Sequence, residues 1–304
     1  MIYKPRPSRR ERLPGRRKAV TVCIAAMCKE PDSDKYVIVT VSDLKITTGH
    51  YSADLVSLKT ERLHKKWYGS LSGKIDQSVP VIRKIRGSLL ENGYTVGEVA
   101  DVCKKAYIEH QRELAYEKVL SPFDMTLDSF LKSRKKIGES QYERLWNAIS
   151  SVSVGFNLLV AGIEKSGHAK IFTVSNPSEE NPSFINFCDT THFAAIGSGA
   201  YLAESVLYAY GQIGGDSLDQ TVYRLIAAKF LAESASDVGE ATHLRIIYQD
   251  GSVKRLDADF IHNEIRTHWD SFDKPKVSQK GLELIKRGLQ EKMKTIFTPS
   301  ASET

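Results

Sequence analysis

The chain has 304 residues, 41% of them hydrophobic and 26% charged, with 20 Gly, 10 Pro and 4 Cys. This is the composition of an ordinary globular chain long enough for one large domain or two modest ones. The formal charge is +6, but eight bases and one acid fall in residues 1–20, so the leader carries +7 and residues 21–304 carry −1. Apolar runs such as Val37–Val41 and Leu158–Ile163 are far shorter than the ~20 residues that span a bilayer. The leader has no apolar segment of the kind a secretory signal needs.

Residues 1–20, with Pro5, Pro7, Pro14 and Gly15 among the charges, form a basic leader or propeptide too polar to order itself. Val22–Met27 and Tyr36–Val41 read as a hairpin whose loop holds Pro31-Asp32-Ser33-Asp34. A polar stretch follows, then strands near Leu58–Leu63 and Trp67–Gly73. Apolar residues at helical spacing predict helices over Val79–Glu91 and Gly97–Val119, with Thr95 and Glu98 as a capping box for the second. Residues 121–152 read as a weakly amphipathic helical enlargement. Strands are expected at Leu158–Ile163, Ala169–Val174, Ser183–Phe187 and His192–Ile196. Helices follow from Gly199 to Tyr210 and over 218–233. Asp250-Gly251 turns a hairpin of His243–Tyr248 and Ser252–Leu256, and 277–296 reads as a peripheral amphipathic helix. The elements come in blocks, strands then paired helices, which argues for layered sheets with helices outside rather than singly alternating β and α.

Familiar catalytic signatures are absent: no G-x-G-x-x-G, P-loop, G-x-S-x-G or H-E-x-x-H. Cys23, Cys28, Cys103 and Cys188 are scattered, without a C-x-x-C pair, and read as reduced thiols of a cytoplasmic protein rather than a zinc site or disulfide frame. Nothing calls for a metal or cofactor. Cys23, inside the first strand, reads as core.

Five strings in order resemble the proteasome β-type subunits and their bacterial and archaeal proteasome-like relatives: Thr21–Met27, Val39–Asp43, Lys59 ahead of Leu71-Ser72-Gly73, Leu158–Gly162, and Phe193–Gly199. The resemblance runs over 21–256 and implies an α+β, four-layer αββα sandwich of N-terminal-nucleophile hydrolase type, with an enlarged helical segment at 121–152 and a C-terminal helical extension at 257–304. It implies a threonine peptidase acting on peptide or protein substrates and assembling as a homo-oligomer. Thr21 takes the place of the nucleophile. Lys59 takes that of the lysine beside the hydroxyl, Asp43 that of its partner aspartate, Gly73 that of the oxyanion donor and Ser198 that of the serine that orients the amine. Glu233 or Asp237 stands where the family places a late acidic residue. Read alone, Ser198 also suits a helix N-cap.

A threonine hydroxyl needs an adjacent base. A free α-amine, with an ordinary pKa near 7.7–8.0, supplies one if Thr21 is the first residue of the mature chain. Val20 precedes it, so the enzyme reading requires cleavage between Val20 and Thr21. Two alternatives stand beside it: a silent scaffold of the same fold whose leader binds nucleic acid or an acidic partner through its bases, and a small-amide acylase.

Overall fold

The computed structural model describes residues 21–48, 51–54, 59–90, 93–179, 181–235, 238–271 and 279–297. The basic leader and Asp237 lie outside them. In chain order the strands and helices are β1 (Cys23–Lys29), β2 (Tyr36–Asp43), β3 (Lys45–Thr48), β4 (Tyr51–Asp54), β5 (Thr60–His64), β6 (Trp67–Gly73), α1 (Ile75–Ser88) and α2 (Val96–Ala115). Next come α3 (Leu127–Lys132), α4 (Arg134–Ile137), α5 (Glu139–Ser150), β7 (Phe156–Ile163), β8 (Ala169–Val174), β9 (Ile185–Phe187) and β10 (Phe193–Ile196). The chain continues through α6 (Ala200–Ala209), α7 (Leu218–Ala232), β11 (Thr242–Ile247), β12 (Val253–Arg255), α8 (Ala258–Phe260), α9 (Arg266–Asp270), α10 (Gln279–Glu291) and β13 (Lys294–Phe297).

The fold is mixed α/β. One sheet has the order β10-β1-β2-β11-β12-β13 and the other β5-β6-β7-β8-β9, while β3 and β4 pair separately; these ladders are antiparallel. The apolar runs explain the burial. Successive side chains of a strand point to opposite faces, so a continuous run such as Val22–Cys28 needs cover on both sides. Val22, Ile24, Ala26 and Cys28 pack with Val222, Leu225 and Ile226 of α7, and with Ala203 and Leu207 of α6. Cys23, Ala25 and Met27 face the second sheet, where Leu159, Ala161 and Ile171 join them. The far face of that sheet, through Leu158, Val160 and Phe172, packs against Val81 and Ile85 of α1 and Val99, Cys103 and Tyr107 of α2.

Most expected elements are present within a few residues, including the Thr95–Glu98 capping box. Four differ. Helix α1 starts at Ile75, ahead of the expected Val79, and carries Pro80 inside it; Ser78 Oγ donates to Ile75 O at 2.6 Å in its polar first turn. The polar stretch after Asp43 contains the β3–β4 ladder. Gly199, not Ser198, is the N-cap of α6, and no side chain caps it. The C-terminal segment is not peripheral: Phe260, Ile261, Ile265, Trp269 and Ile285 belong to the core under α7, and β13 pairs with β12. Gly281 of α10 lies so close to Tyr223 that a Cβ there would fall 2.5 Å from the ring.

Candidate active site

Thr21 stands at the mouth of β1. The β1–β2 register pairs Cys23 with Ser42, which sets Asp43, the last residue of β2, beside the residues that precede β1. Asp43 N–H donates to Val22 O at 3.2 Å, and Val22 N–H donates to Asp43 Oδ1 at 3.0 Å. That reciprocal pair holds the carboxylate under Thr21, whose hydroxyl donates to Oδ1 at 2.6 Å. Lys59 arrives from the other sheet, immediately before β5, with its carbonyl tied to Leu71 N–H at 2.8 Å. Its Nζ reaches Asp43 Oδ1 at 2.7 Å and also donates to Thr21 Oγ1.

Thr21, Asp43 and Lys59 are 3%, 0% and 3% exposed. A buried ion pair is tolerated only when its remaining hydrogen-bonding capacity is met. Here it is: besides the three donors on Oδ1, Asp43 Oδ2 accepts from Lys45 N–H and Gly239 N–H, each at 3.2 Å. Five donors fix the carboxylate, and the carboxylate fixes the ammonium against the hydroxyl. A cation set beside an oxygen in a water-poor site lowers the cost of a negative charge there.

Gly73 ends β6 at φ +107°, a backbone state open chiefly to glycine, and a Cβ would fall 2.5 Å from Gly155 O. Ser198 is exposed and lies within a loop that wraps the Thr21 carbonyl. Gly199 N–H donates to Thr21 O at 3.3 Å, and Gly197, at φ +100°, approaches so closely that a Cβ would sit 2.0 Å from that oxygen. Cys23 is buried with its thiol donating to Leu71 O at 3.4 Å. Burial pushes its pKa up to about 12, Lys59 opposing and Asp43 adding, so it stands as a protonated thiol rather than a rival nucleophile.

Glu233 is not brought to Thr21. It caps α7, where Arg266 grips its carboxylate at 2.8 and 2.5 Å and Lys229 meets it at 2.5 Å. This network joins the site from behind. Lys229 Nζ donates to Glu240 O at 2.5 Å, beside the Gly239 N–H that holds Asp43. Lys229 is fully buried, and that burial lowers its pKa to about 8, with Glu233 opposing. Lys229 was not singled out in the sequence; its place four residues before Glu233 in an apolar helix is the signal that marks it.

Among the described residues no group of three His, Cys, Asp or Glu side chains is placed to hold a metal ion. Nor is any helix of the described residues long and apolar enough to cross a membrane.

No protein-family model matches the sequence, and no curated protein matches it. Among solved structures the chain is similar to the crystal structure of eukaryotic HslV from Trypanosoma brucei, with 75% of this chain and 99% of that one covered, a TM-score of 0.44 and 13% sequence identity.

Proposed function

We propose that the chain is a threonine-type N-terminal-nucleophile hydrolase, a proteasome-like peptidase with αββα layering that acts once Thr21 has become the first residue. The observation that carries this reading is the convergence on Thr21 Oγ1 of a buried carboxylate and a buried ammonium supplied by different sheets. A strand-end threonine with no chemical task has no need of either, and burying such a pair is costly.

In the proposed reaction, Thr21 Oγ1 attacks the substrate carbonyl carbon while its proton passes to the freed α-amine. Lys59 stabilises the developing alkoxide, and Gly73 N–H receives the oxyanion. Collapse of the tetrahedral intermediate breaks the C–N bond, and the leaving amine takes the proton from the α-ammonium. Water then attacks the ester on Thr21, its proton going to the same amine, and expels the acid to restore the hydroxyl. Asp43 keeps Lys59 in place throughout. Ser198, in the loop around the Thr21 backbone, orients the amine. Peptide or protein substrates and a homo-oligomeric assembly belong to the same proposal.

The test compares wild-type protein, Thr21→Ala and a chain made to begin at Thr21. Hydrolysis of fluorogenic peptides by the wild type and the Thr21-initiated chain, with none by Thr21→Ala, supports the reading. Equal hydrolysis by Thr21→Ala overturns it, and hydrolysis confined to small amides redirects it to an acylase.

A further inference from the structure

At β10, which flanks β1 on the side opposite β2 and Asp43, lies a cavity of about 350 Å³. Its floor is the open end of the second sheet, with Asn157, Thr173 and Ser175, and its wall is β10 and α6, with Gly197, Glu204 and Tyr208. Register ties it to the site at two points. Asn157 pairs with Ser72, the neighbour of Gly73, and Gly197 is packed on the Thr21 carbonyl.

Among the described residues of the lining, Glu204 is the only charged side chain. Its Oε1 accepts from Ala195 N–H of the edge strand β10 at 3.0 Å, a bond that orients the carboxylate and leaves Oε2 without a partner among the described residues. Other carboxylates that the fold buries wholly or mostly have counter-charges: Asp43 has Lys59, Glu233 has Lys229 and Arg266, and Asp216 has Arg224. Among the described residues no basic side chain stands within ion-pair distance of Glu204. Its pKa is raised by burial, with only the Ala195 N–H opposing, as expected of a carboxylate lacking a cation. Tyr208, edge-on to Phe193 with ring centroids 4.9 Å apart, adds an aromatic ring to the mouth. A carboxylate short of a counter-ion, neutral hydrogen-bonding groups and an aromatic ring together suit an organic cation.

We propose that this cavity is a substrate subsite for an ammonium or guanidinium group, a lysine or arginine side chain next to the scissile bond, with Glu204 as its counter-charge. As a subsite it rests on the hydrolase reading; as a cation site it is testable apart from it.

The experiment uses a chain begun at residue 21 and carrying Thr21→Ala, so that neither hydrolysis nor the basic leader interferes, and agmatine as the probe, followed by NMR titration. Glu204→Gln keeps the acceptor for Ala195 N–H and removes only the charge. The expected result is saturable binding weakened about tenfold or more in Glu204→Gln. Absence of binding, or equal affinity in the two proteins, overturns the proposal. In a parallel arm with catalytically intact protein, replacing norleucine by lysine beside the scissile bond raises kcat/KM, and Glu204→Gln removes that preference; a preference that survives the substitution also overturns it. Failure of the hydrolase reading is seen separately, as hydrolysis indifferent to Thr21→Ala.

Discussion

Asp43 and Lys59 form a buried ion pair, Oδ1 to Nζ 2.7 Å, in which the carboxylate comes from one sheet and the ammonium from the other. The pair fastens the two sheets together at the end where β1 begins, and it leaves Lys59 in contact with Thr21 Oγ1.

Removing one partner strands the other charge in the interior. Lys59→Met or Asp43→Asn is expected to cost roughly 3–5 kcal/mol in urea unfolding, and each abolishes hydrolysis. The double substitution costs less than the two singles combined, because it leaves no unpaired charge. A strictly additive double-mutant cycle contradicts the account.

The glycines around Thr21 separate steric need from helix propensity. Gly197→Ala puts a methyl 2.0 Å from Thr21 O at φ +100° and disrupts the strand mouth, while Gly73→Ala meets Gly155 O at 2.5 Å. Both are expected to lower Tm and to lose activity. Gly87→Ala is the control: it lies in α1 with nothing near its added Cβ and stabilises by about 0.5 kcal/mol.

His243, in β11 against β2, is buried; that burial, reinforced by Arg245 and Arg255, lowers its pKa to about 3. The unfolded chain, with an ordinary histidine near 6.5, therefore binds more protons between these values. Stability from this group is present above pH 6.5 and is lost as pH falls toward 3. His243→Gln is expected to flatten the pH dependence of unfolding free energy between pH 6.5 and 4 by on the order of 1 kcal/mol per pH unit. Denaturant titrations at a series of pH values read this directly, and parallel curves for the two proteins refute it.

Truncation after Leu256 removes Phe260, Ile261, Ile265, Trp269 and Ile285 from the core under α7, and removes Arg266 from Glu233. The shortened chain is expected to fail to fold, as read by circular dichroism and cooperative unfolding. A cooperative transition at unchanged Tm means instead that the segment is dispensable.

That last case shows where the sequence was opaque. Continuous apolar runs such as Val22–Met27 and Leu158–Ile163 revealed buried strands because side chains on both faces needed cover. Lys294–Phe297 is too short and polar to reveal a strand; β13 exists because β12 offers it an edge. The meeting of Thr21, Asp43 and Lys59 was legible only through resemblance, since no local rule connects residues 22 and 38 positions apart. Gly73 and Gly197 hold positive φ angles, a backbone state open chiefly to glycine. Spacing points to the Lys229–Glu233 pair, but the reach of Lys229 to Glu240 behind Asp43 and the Glu204 cavity depend on longer-range packing.

Intact-mass analysis of active protein tests whether Thr21 becomes a free N-terminal nucleophile. A chain beginning at Thr21 is expected in the active wild type, and the uncut leader in Thr21→Ala. Active wild-type protein that still carries residues 1–20 contradicts it.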